Sequence, residues 1–178
     1  GKYAMLTNST GANCTAIGSN SLYGNTDGLY NVAVGHNALY TNTTGDCNIA
    51  IGMNALYSAT TANSNTGVGY EALKGVTTGQ YNTAVGRQAL GSGTVTGNNN
   101  TAVGYQCMQH CTSGASNAAV GQLALQDITT GTLNACLGYG AGANVTTASH
   151  NTLAGYAAGE VITTGGSNTA IGSQALMA

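Results

Sequence analysis

The chain has 178 residues, a formal net charge of −2, three Lys plus Arg residues and five Asp plus Glu residues. A nucleic-acid surface needs clustered Lys and Arg, so we expect no nucleic-acid partner. No apolar run reaches the length needed to cross a bilayer, so we expect no membrane insertion.

One phrase recurs along the whole chain. It reads N-T-A-V-G-R-Q-A-L from Asn82 to Leu90. Its copies start 17 residues apart, except for one 18-residue step between Asn82 and Asn100. A fixed period of this kind marks a repeat architecture. The starting residues are Cys14, Asn31, Asn48, Asn65, Asn82, Asn100, Asn117, Asn134, Asn151 and Asn168.

We number each repeat from its Asn as position 1. Position 5 is Gly in every copy, which indicates a backbone needing positive φ or a close neighbour. Position 15 is also mostly Gly. Two corners per repeat, with short extended runs between them, are typical of a solenoid. The position 5 turn glycines are Gly1, Gly18, Gly35, Gly52, Gly69, Gly86, Gly104, Gly121, Gly138, Gly155 and Gly172.

The sequence therefore predicts an all-β fold, a parallel β-solenoid or β-roll of about ten 17-residue coils. Residues 1–178 form a single repeat domain that starts and ends mid-coil. We place the one extra residue within Gly91-Ser92-Gly93, where a bulged turn absorbs it.

Positions 4 and 9 carry the larger aliphatic residues, such as Val85 and Leu90, and are predicted to stack into the core. Position 3 is Ala in seven of the ten copies, and Gly67, Cys136 and Leu153 are the exceptions. Because side chains alternate along a strand, position 3 should turn away from the face that position 4 buries. Its small size indicates close packing on both sides of the strand, by the opposite wall or by a second chain.

Three polar or aromatic columns are predicted to form ladders up the stack. Asn at position 1 would bond from coil to coil through its amide. Thr dominates position 13, and Tyr23, Tyr40 and Tyr57 share position 10. Ladder stabilisation is the favoured interpretation of all three. Sugar stacking on the tyrosines and ice matching by the threonines are the alternatives.

The five cysteines form no zinc-binding pattern. Cys14 and Cys47 lie about two coils, or ~10 Å, apart, which is too far for a relaxed disulfide. Cys107 with Cys111 is the more favoured disulfide, although substitution for a small apolar residue is the favoured interpretation of Cys107 itself. An odd count leaves at least one thiol free or linked to another chain.

Five asparagines begin N-x-S/T sequons, a number close to chance in a chain so rich in Asn, Ser and Thr. We take Asn8 and Asn42 as the better glycosylation candidates, because both lie at position 12, just before the Thr-Thr-Gly corner. The other sequon residues are Asn13, Asn99 and Asn144.

No pattern of residues indicates catalysis. The three histidines fall at different repeat positions, and the five acidic residues are scattered along the chain. We therefore expect no catalytic site, no metal site and no cofactor, and we do not interpret the chain as an enzyme.

The phrase from Asn82 to Leu90 resembles the head repeats of trimeric autotransporter adhesins and related repeats in phage tail fibres. The resemblance covers nearly the whole chain. It implies a left-handed parallel β-roll, an extracellular or cell- or virion-surface location and, commonly, a trimer.

Two classes of function lead. The first is a structural subunit of an extracellular fibre, built by end-to-end stacking of coils, since neither end carries a capping element. The start at Gly1 suggests a processed form or a fragment. The second is an adhesin head or tail-fibre module that binds a cell-surface receptor or glycan through positions 6, 7, 10 and 11. An ice-binding solenoid is a lesser alternative. The expected partner is the chain itself, as a homo-oligomer or head-to-tail filament.

Overall fold

The computed structural model describes residues 1–177, and these form one continuous stack of short parallel strands. Each strand pairs in register with the next, as Thr83, Ala84 and Val85 do with Thr101, Ala102 and Val103. The fold class predicted from the repeat is confirmed. The strands are β1 (Thr15–Ile17), β2 (Val32–Val34), β3 (Ile49–Ile51), β4 (Thr66–Val68), β5 (Thr83–Val85), β6 (Thr101–Val103), β7 (Ala118–Val120), β8 (Ala135–Leu137), β9 (Thr152–Ala154) and β10 (Thr169–Ile171).

The glycine at position 5 is required for two reasons. Gly86, at the end of β5, has a φ of 133°. A Cβ built on it would lie 2.5 Å from the carbonyl oxygen of Gly104 in the next coil. Both explanations offered for this column, positive φ and a close neighbour, therefore apply to the same residue.

Further corners of each coil use left-handed backbone at residues other than glycine. Gln88 and Leu90 have φ values of 57° and 49°. The backbone N–H of Gln88 donates to Tyr70 O in the preceding coil at 2.8 Å, and that of Leu90 donates to Cys107 O in the following coil at 2.9 Å. These bonds to both neighbours offset the cost of an uncommon conformation, and the sequence did not reveal these corners.

The core is a narrow column between the sheet and the opposite wall. It contains the middle residue of each strand, at position 3, together with positions 8, 9 and 12. Position 9 supplies the large members, such as Leu73 and Leu90, both fully buried. The prediction that position 9 stacks in the core is confirmed.

The prediction for position 4 is wrong. Ala84 at position 3 is 0% exposed, whereas Val85 at position 4 is 38% exposed. The strand turns its small residue inward because the leucines of position 9 already fill the narrow interior, and alternation then sends position 4 outward. The opposite wall, one of the two explanations for the small column, is what packs against position 3.

Leu153 is the one large residue at position 3. Small residues at position 9, on the opposite wall of the coil, make room for its side chain. The position 9 residues around it are Gly142 and Gly159. A Cβ on Gly159 would lie 2.7 Å from a methyl group of Leu153, and one on Gly142 would lie 2.9 Å from the other. Volume has been exchanged between the two walls, which keeps the core filled.

The extra residue of the 18-residue step lies close to the predicted place. The backbone N–H of Ser92 donates to Gln109 O at 3.0 Å, as residues at position 11 do elsewhere. Val95 then resumes the stack by donating to Gly75 O at 2.9 Å and bridging Val76. The chain bulges between these points, at Gly93 and Thr94. Among residues 1–177, no helix has the length and apolar character needed to cross a membrane.

Candidate functional site

The asparagines of position 1 form the predicted ladder. Both the backbone N–H and the Nδ2 of Asn82 donate to Oδ1 of Asn65, at 2.9 and 3.2 Å, and Nδ2 also donates to Gly97 O at 2.9 Å. Oδ1 of Asn82 in turn accepts from Asn100. Because each amide bonds above, below and across the corner, this buried column is structural.

A second, shorter Asn ladder lies at position 12. Nδ2 of Asn25 donates to Oδ1 of Asn8, and Nδ2 of Asn42 donates to Oδ1 of Asn25, each at 2.7 Å. The next coil has Ala59 in this column, so Oδ1 of Asn42 is buried without a hydrogen-bond donor among the described residues.

This ladder overturns the choice of Asn8 and Asn42 as the better glycosylation candidates. Asn42 is 0% exposed and Asn8 is half-buried. The Nδ2 atoms that would carry a glycan donate to Gly45 O and Gly11 O at 3.0 and 2.9 Å. Position 12 points into the coil because its side chain closes the corner. The exposed sequon residues are Asn13, Asn99 and Asn144.

The threonine and tyrosine ladders are confirmed. The hydroxyl of Thr26 donates to Thr43 O at 3.0 Å, and the pattern repeats up the position 13 column. Tyr40 stacks on Tyr23 and Tyr57, with ring centroids 4.9 and 5.1 Å apart. The hydroxyls of position 13 therefore serve the backbone of the stack.

The most extensive exposed feature is the outer sheet face, which we define as positions 2 and 4 of the ten strands. It carries only Thr, Val, Ile, Ala and Leu side chains, with no charge in any strand. Ile17, Leu137 and Ile171 are 60%, 59% and 73% exposed. Parallel sheets normally have both faces covered, so this face lacks its usual covering layer. Sequence reasoning missed it because position 4 was assigned to the core.

The outer sheet face is uneven at β7–β9. Small residues at Ala118, Ala135 and Ala154 surround the protruding Leu137 and leave a hollow of about 370 Å³ lined almost entirely by apolar atoms. The protruding side chain of Leu137, which we call the knob, and this hollow lie side by side on the outer sheet face.

A different exposed edge carries polar and aromatic side chains at position 6. The guanidinium of Arg87 lies between the rings of Tyr70 and Tyr105, 5.6 and 5.7 Å from their centroids. Arg87, the single arginine of the chain, therefore makes cation–π contacts with tyrosines of the coils on both sides.

A polar cleft of about 270 Å³ lies beside the bulge. Glu71, Lys74, Gln88 and Gln109 line it, with Ser58 and Ser92 at position 11. The carboxylate of Glu71 accepts from Lys74 Nζ at 2.7 Å and from Gln88 Nε2 at 3.0 Å. The hydrogen bond from Lys74 is the main cause that lowers the pKa of Glu71, so it is ionised at neutral pH. The 18-residue step was the sequence signal for this site.

The prediction of a disulfide between Cys107 and Cys111 is wrong, because all five cysteines are free thiols. Sγ of Cys107 donates to Ala119 O at 3.3 Å, and Sγ of Cys111 donates to Gly114 O at 3.6 Å. The two belong to separate inner columns, positions 8 and 12. Burial raises the pKa of Cys107 and Cys136 to about 12 and that of Cys111 to about 11, which leaves all three unreactive.

The histidines and acidic residues do not gather into a site in the described part of the chain. His110 Nδ1 lies 2.8 Å from the Asp127 carboxylate, at the exposed edge of position 11. Within residues 1–177, no three His, Cys, Asp or Glu side chains are placed to hold a metal ion. Comparison of the chain with protein-family models, with curated proteins and with solved structures finds no match.

Proposed function

We propose that this chain is a structural segment of an extracellular fibre, in which copies lie side by side and are held together through the outer sheet face. The observation that carries the proposal is that the face is uncharged over all ten strands and has an aliphatic residue at position 4 of every strand. Exposed apolar surfaces of this extent are typical of interaction sites.

The repeat itself argues that the covering partner is another copy. The face presents positions 2 and 4 at each rung, and the rungs are about 4.8 Å apart. A partner that packs equally well along its length must have the same rise per rung, which a second copy aligned with the first provides. The face also lacks charges that would select a foreign partner.

The resemblance to adhesin heads suggests three copies around one axis. In a closed ring the contact is between different patches of neighbouring copies. The protruding Leu137 of one copy would then enter the hollow formed by Ala118, Ala135 and Ala154 of the next. Side-by-side association is compatible with end-to-end stacking, which remains part of the fibre proposal.

The ice-binding alternative has less support. Position 13 hydroxyls donate to backbone carbonyls of the next coil, as Thr26 does to Thr43. Those hydroxyls are committed to the stack and do not form a free array.

The molar mass of the chain in solution tests the proposal. We expect light scattering to give a multiple of 17.5 kDa. The double variant Val85→Glu, Val120→Glu, with two charges on the outer sheet face, should be monomeric with an unchanged circular dichroism spectrum. Thr78→Glu with Ser113→Glu is the matched control, since both positions are exposed on another face and have the same spacing. A wild-type chain that stays monomeric at high concentration would overturn the proposal.

A further inference from the structure

The bulge opens the backbone ladder at one point. In the coils on either side, the N–H of position 11 donates to the carbonyl of position 10 in the next coil, as Ser58 does to Lys74 and Ser92 does to Gln109, each at 3.0 Å. In the described part of the chain, this bond is missing between Asn144 and Glu160, and at the bulge it is missing between Gly75 and Gly91. Both glycines line the polar cleft, so a backbone donor and a backbone acceptor are left open there.

Two glycines make room for this arrangement. Gly91 falls in the position 10 column, between the long side chains of Lys74 and Gln109, and leaves a gap in that column. Gly75 lies directly beneath the carbonyl oxygen of Gly93, which occupies the place of a Cβ. The bulge thus forms part of the cleft wall.

The polar side chains around the gap are held in place by their neighbours. Glu71 is tied to Lys74 and Gln88, and Gln88 accepts from Gln106 Nε2 at 3.2 Å. On the far side, Gln109 accepts through Oε1 from Gln126 Nε2 at 3.3 Å, so its own Nε2 is directed elsewhere. Such fixed groups lose little entropy when a ligand binds.

The charge of the cleft decides the class of ligand. The single carboxylate and the single ammonium form one ion pair with each other, at 2.7 Å, so the cleft is neutral overall. An anion would face Glu71 and a cation would face Lys74, and an apolar ligand would leave the amides and hydroxyls without partners. A neutral molecule with several hydroxyl groups can donate to Glu71 and accept from Lys74, Gln109 and the Gly75 N–H.

We infer that this cleft binds a neutral saccharide unit. Its volume of about 270 Å³ lies just below the range of pockets for drug-sized ligands, which suits one sugar ring with its neighbours outside. The aromatic stack of Tyr23, Tyr40 and Tyr57 runs up the position 10 column to the adjacent coil. Further sugar units of a glycan would extend towards it.

The test is a titration of the intact chain, followed by amide chemical shifts, with methyl glycosides of glucose, galactose, mannose and N-acetylglucosamine. We expect at least one to shift the amides of Ser58, Gly75, Gln88 and Gln109. Lactose and a mannose trisaccharide form a second arm. Tighter binding of an oligosaccharide would identify a glycan as the source, and equal affinity would identify a free sugar.

Two variants remove the cleft chemistry while keeping the fold. Glu71→Asn suits a backbone with a φ of 56°, since Asn20, Asn37 and Asn54 occupy the same column with φ values of 56, 55 and 57°. Lys74→Gln matches Gln109 and Gln126 of its own column. Each should weaken binding about tenfold, the effect of losing a hydrogen bond to a charged group. The control, Gln174→Asn, lies in the Glu71 column with a φ of 57° but far from the cleft, and it should bind normally.

Several results would overturn the inference. They are no shift with any sugar at millimolar concentration, shifts confined to other faces, or equal affinity in the wild type and the folded Glu71→Asn and Lys74→Gln variants. Binding does not depend on side-by-side association. A monomeric chain that binds sugar would refute only the fibre proposal, and an oligomer without sugar binding would refute only this one.

Discussion

Adjacent residues of the same strand lie in opposite environments, one in the core and the other on the surface. Ala84 in β5 is 0% exposed and packs against the far wall of the coil, while Val85 is 38% exposed on the outer sheet face. The smaller residue is inside and the larger one is outside, which reverses the usual expectation for apolar side chains. In a coil this thin, the space across the interior sets the size of the inner residue, and the larger residues lie on the outer sheet face.

The two faces also differ in how polar groups are treated. From Asn31 onward, the inner side of each coil contains an asparagine whose amide bonds in several directions, as Asn82 does to Asn65, Gly97 and Asn100. The outer sheet face has only the hydroxyls of threonine. We therefore expect substitutions inside to change folding and substitutions outside to change association.

The largest difference in the free energy of unfolding should be between alanine substitutions at the adjacent residues Asn82 and Thr83. Asn82→Ala leaves the buried backbone N–H of Asn100 and the carbonyl of Gly97 without their partners. Each orphaned group costs about 1–3 kcal/mol, so the free energy of unfolding should fall by about 2–6 kcal/mol. Thr83→Ala, one residue further on the outer face, should change it by less than about 0.5 kcal/mol.

Denaturant unfolding followed by circular dichroism measures both variants. They are best made in the Val85→Glu, Val120→Glu background, so that association does not contribute to stability. Equal losses for Asn82→Ala and Thr83→Ala would contradict the ladder as a major source of stability.

A second comparison uses one residue type on both faces. Leu153 in β9 is 0% exposed, and Leu137 in β8 is 59% exposed. Leu153→Ala removes the side chain that fills the space over Gly142 and Gly159, and the cavity should cost about 2–5 kcal/mol. Leu137→Ala should be nearly neutral in the monomeric background.

The same pair can be measured by association. In the wild-type background, which has valine at positions 85 and 120, Leu137→Ala should weaken association of the oligomer. Leu153→Ala should mainly lower the free energy of unfolding. Light scattering over a dilution series separates the two effects. An unchanged oligomer in Leu137→Ala would show that the knob and hollow do not contribute to the contact.

The period of the Asn and Gly columns was enough to predict the parallel stack, its register and the ladders, because one pattern repeats without helix signals. The direction of the strand side chains was not predictable in this way. Both Ala84 and Val85 are apolar, and choosing between them needs the width of the interior. The cleft escaped prediction because Gly75 and Gly91 resemble ordinary glycines until the Gly93 carbonyl is placed over one of them.

The cysteines divide along the same inner and outer line. Cys47 is exposed and Cys14 is half-buried, whereas Cys107, Cys111 and Cys136 are buried. A native chain should therefore react with a thiol reagent at two sites, with Cys47 faster, and at all five after unfolding. If only three thiols react after unfolding, the result would support the predicted disulfide between Cys107 and Cys111.

Buried thiols also make stability depend on pH. Burial raises the pKa of Cys107 and Cys136 from 9.0 to about 12, so in the folded chain they stay protonated where unfolded ones ionise. Their contribution is complete below pH 9 and is lost as the pH rises towards 12, by on the order of 1 kcal/mol per thiol at pH 10. The variant Cys107→Ala, Cys111→Val, Cys136→Ala, which copies residues found in those columns, should lose less stability over this range.

The smallest expected effect lies at the one glycine of the inner strand column. Gly67 in β4 is flanked by Ala50 and Ala84 in the paired strands. A Cβ there would lie 3.3 Å from Ala72 O and 3.4 Å from Leu56 Cδ1, a fit that needs only a slight adjustment. Because alanine reduces the freedom of the unfolded chain, Gly67→Ala should stabilise the fold by about 0.5 kcal/mol. The reverse change, Ala84→Gly, should destabilise it by about 0.5–1 kcal/mol. If thermal unfolding instead shows a loss of stability for Gly67→Ala, the inner column is already filled at this coil, and the width of the interior would vary along the stack.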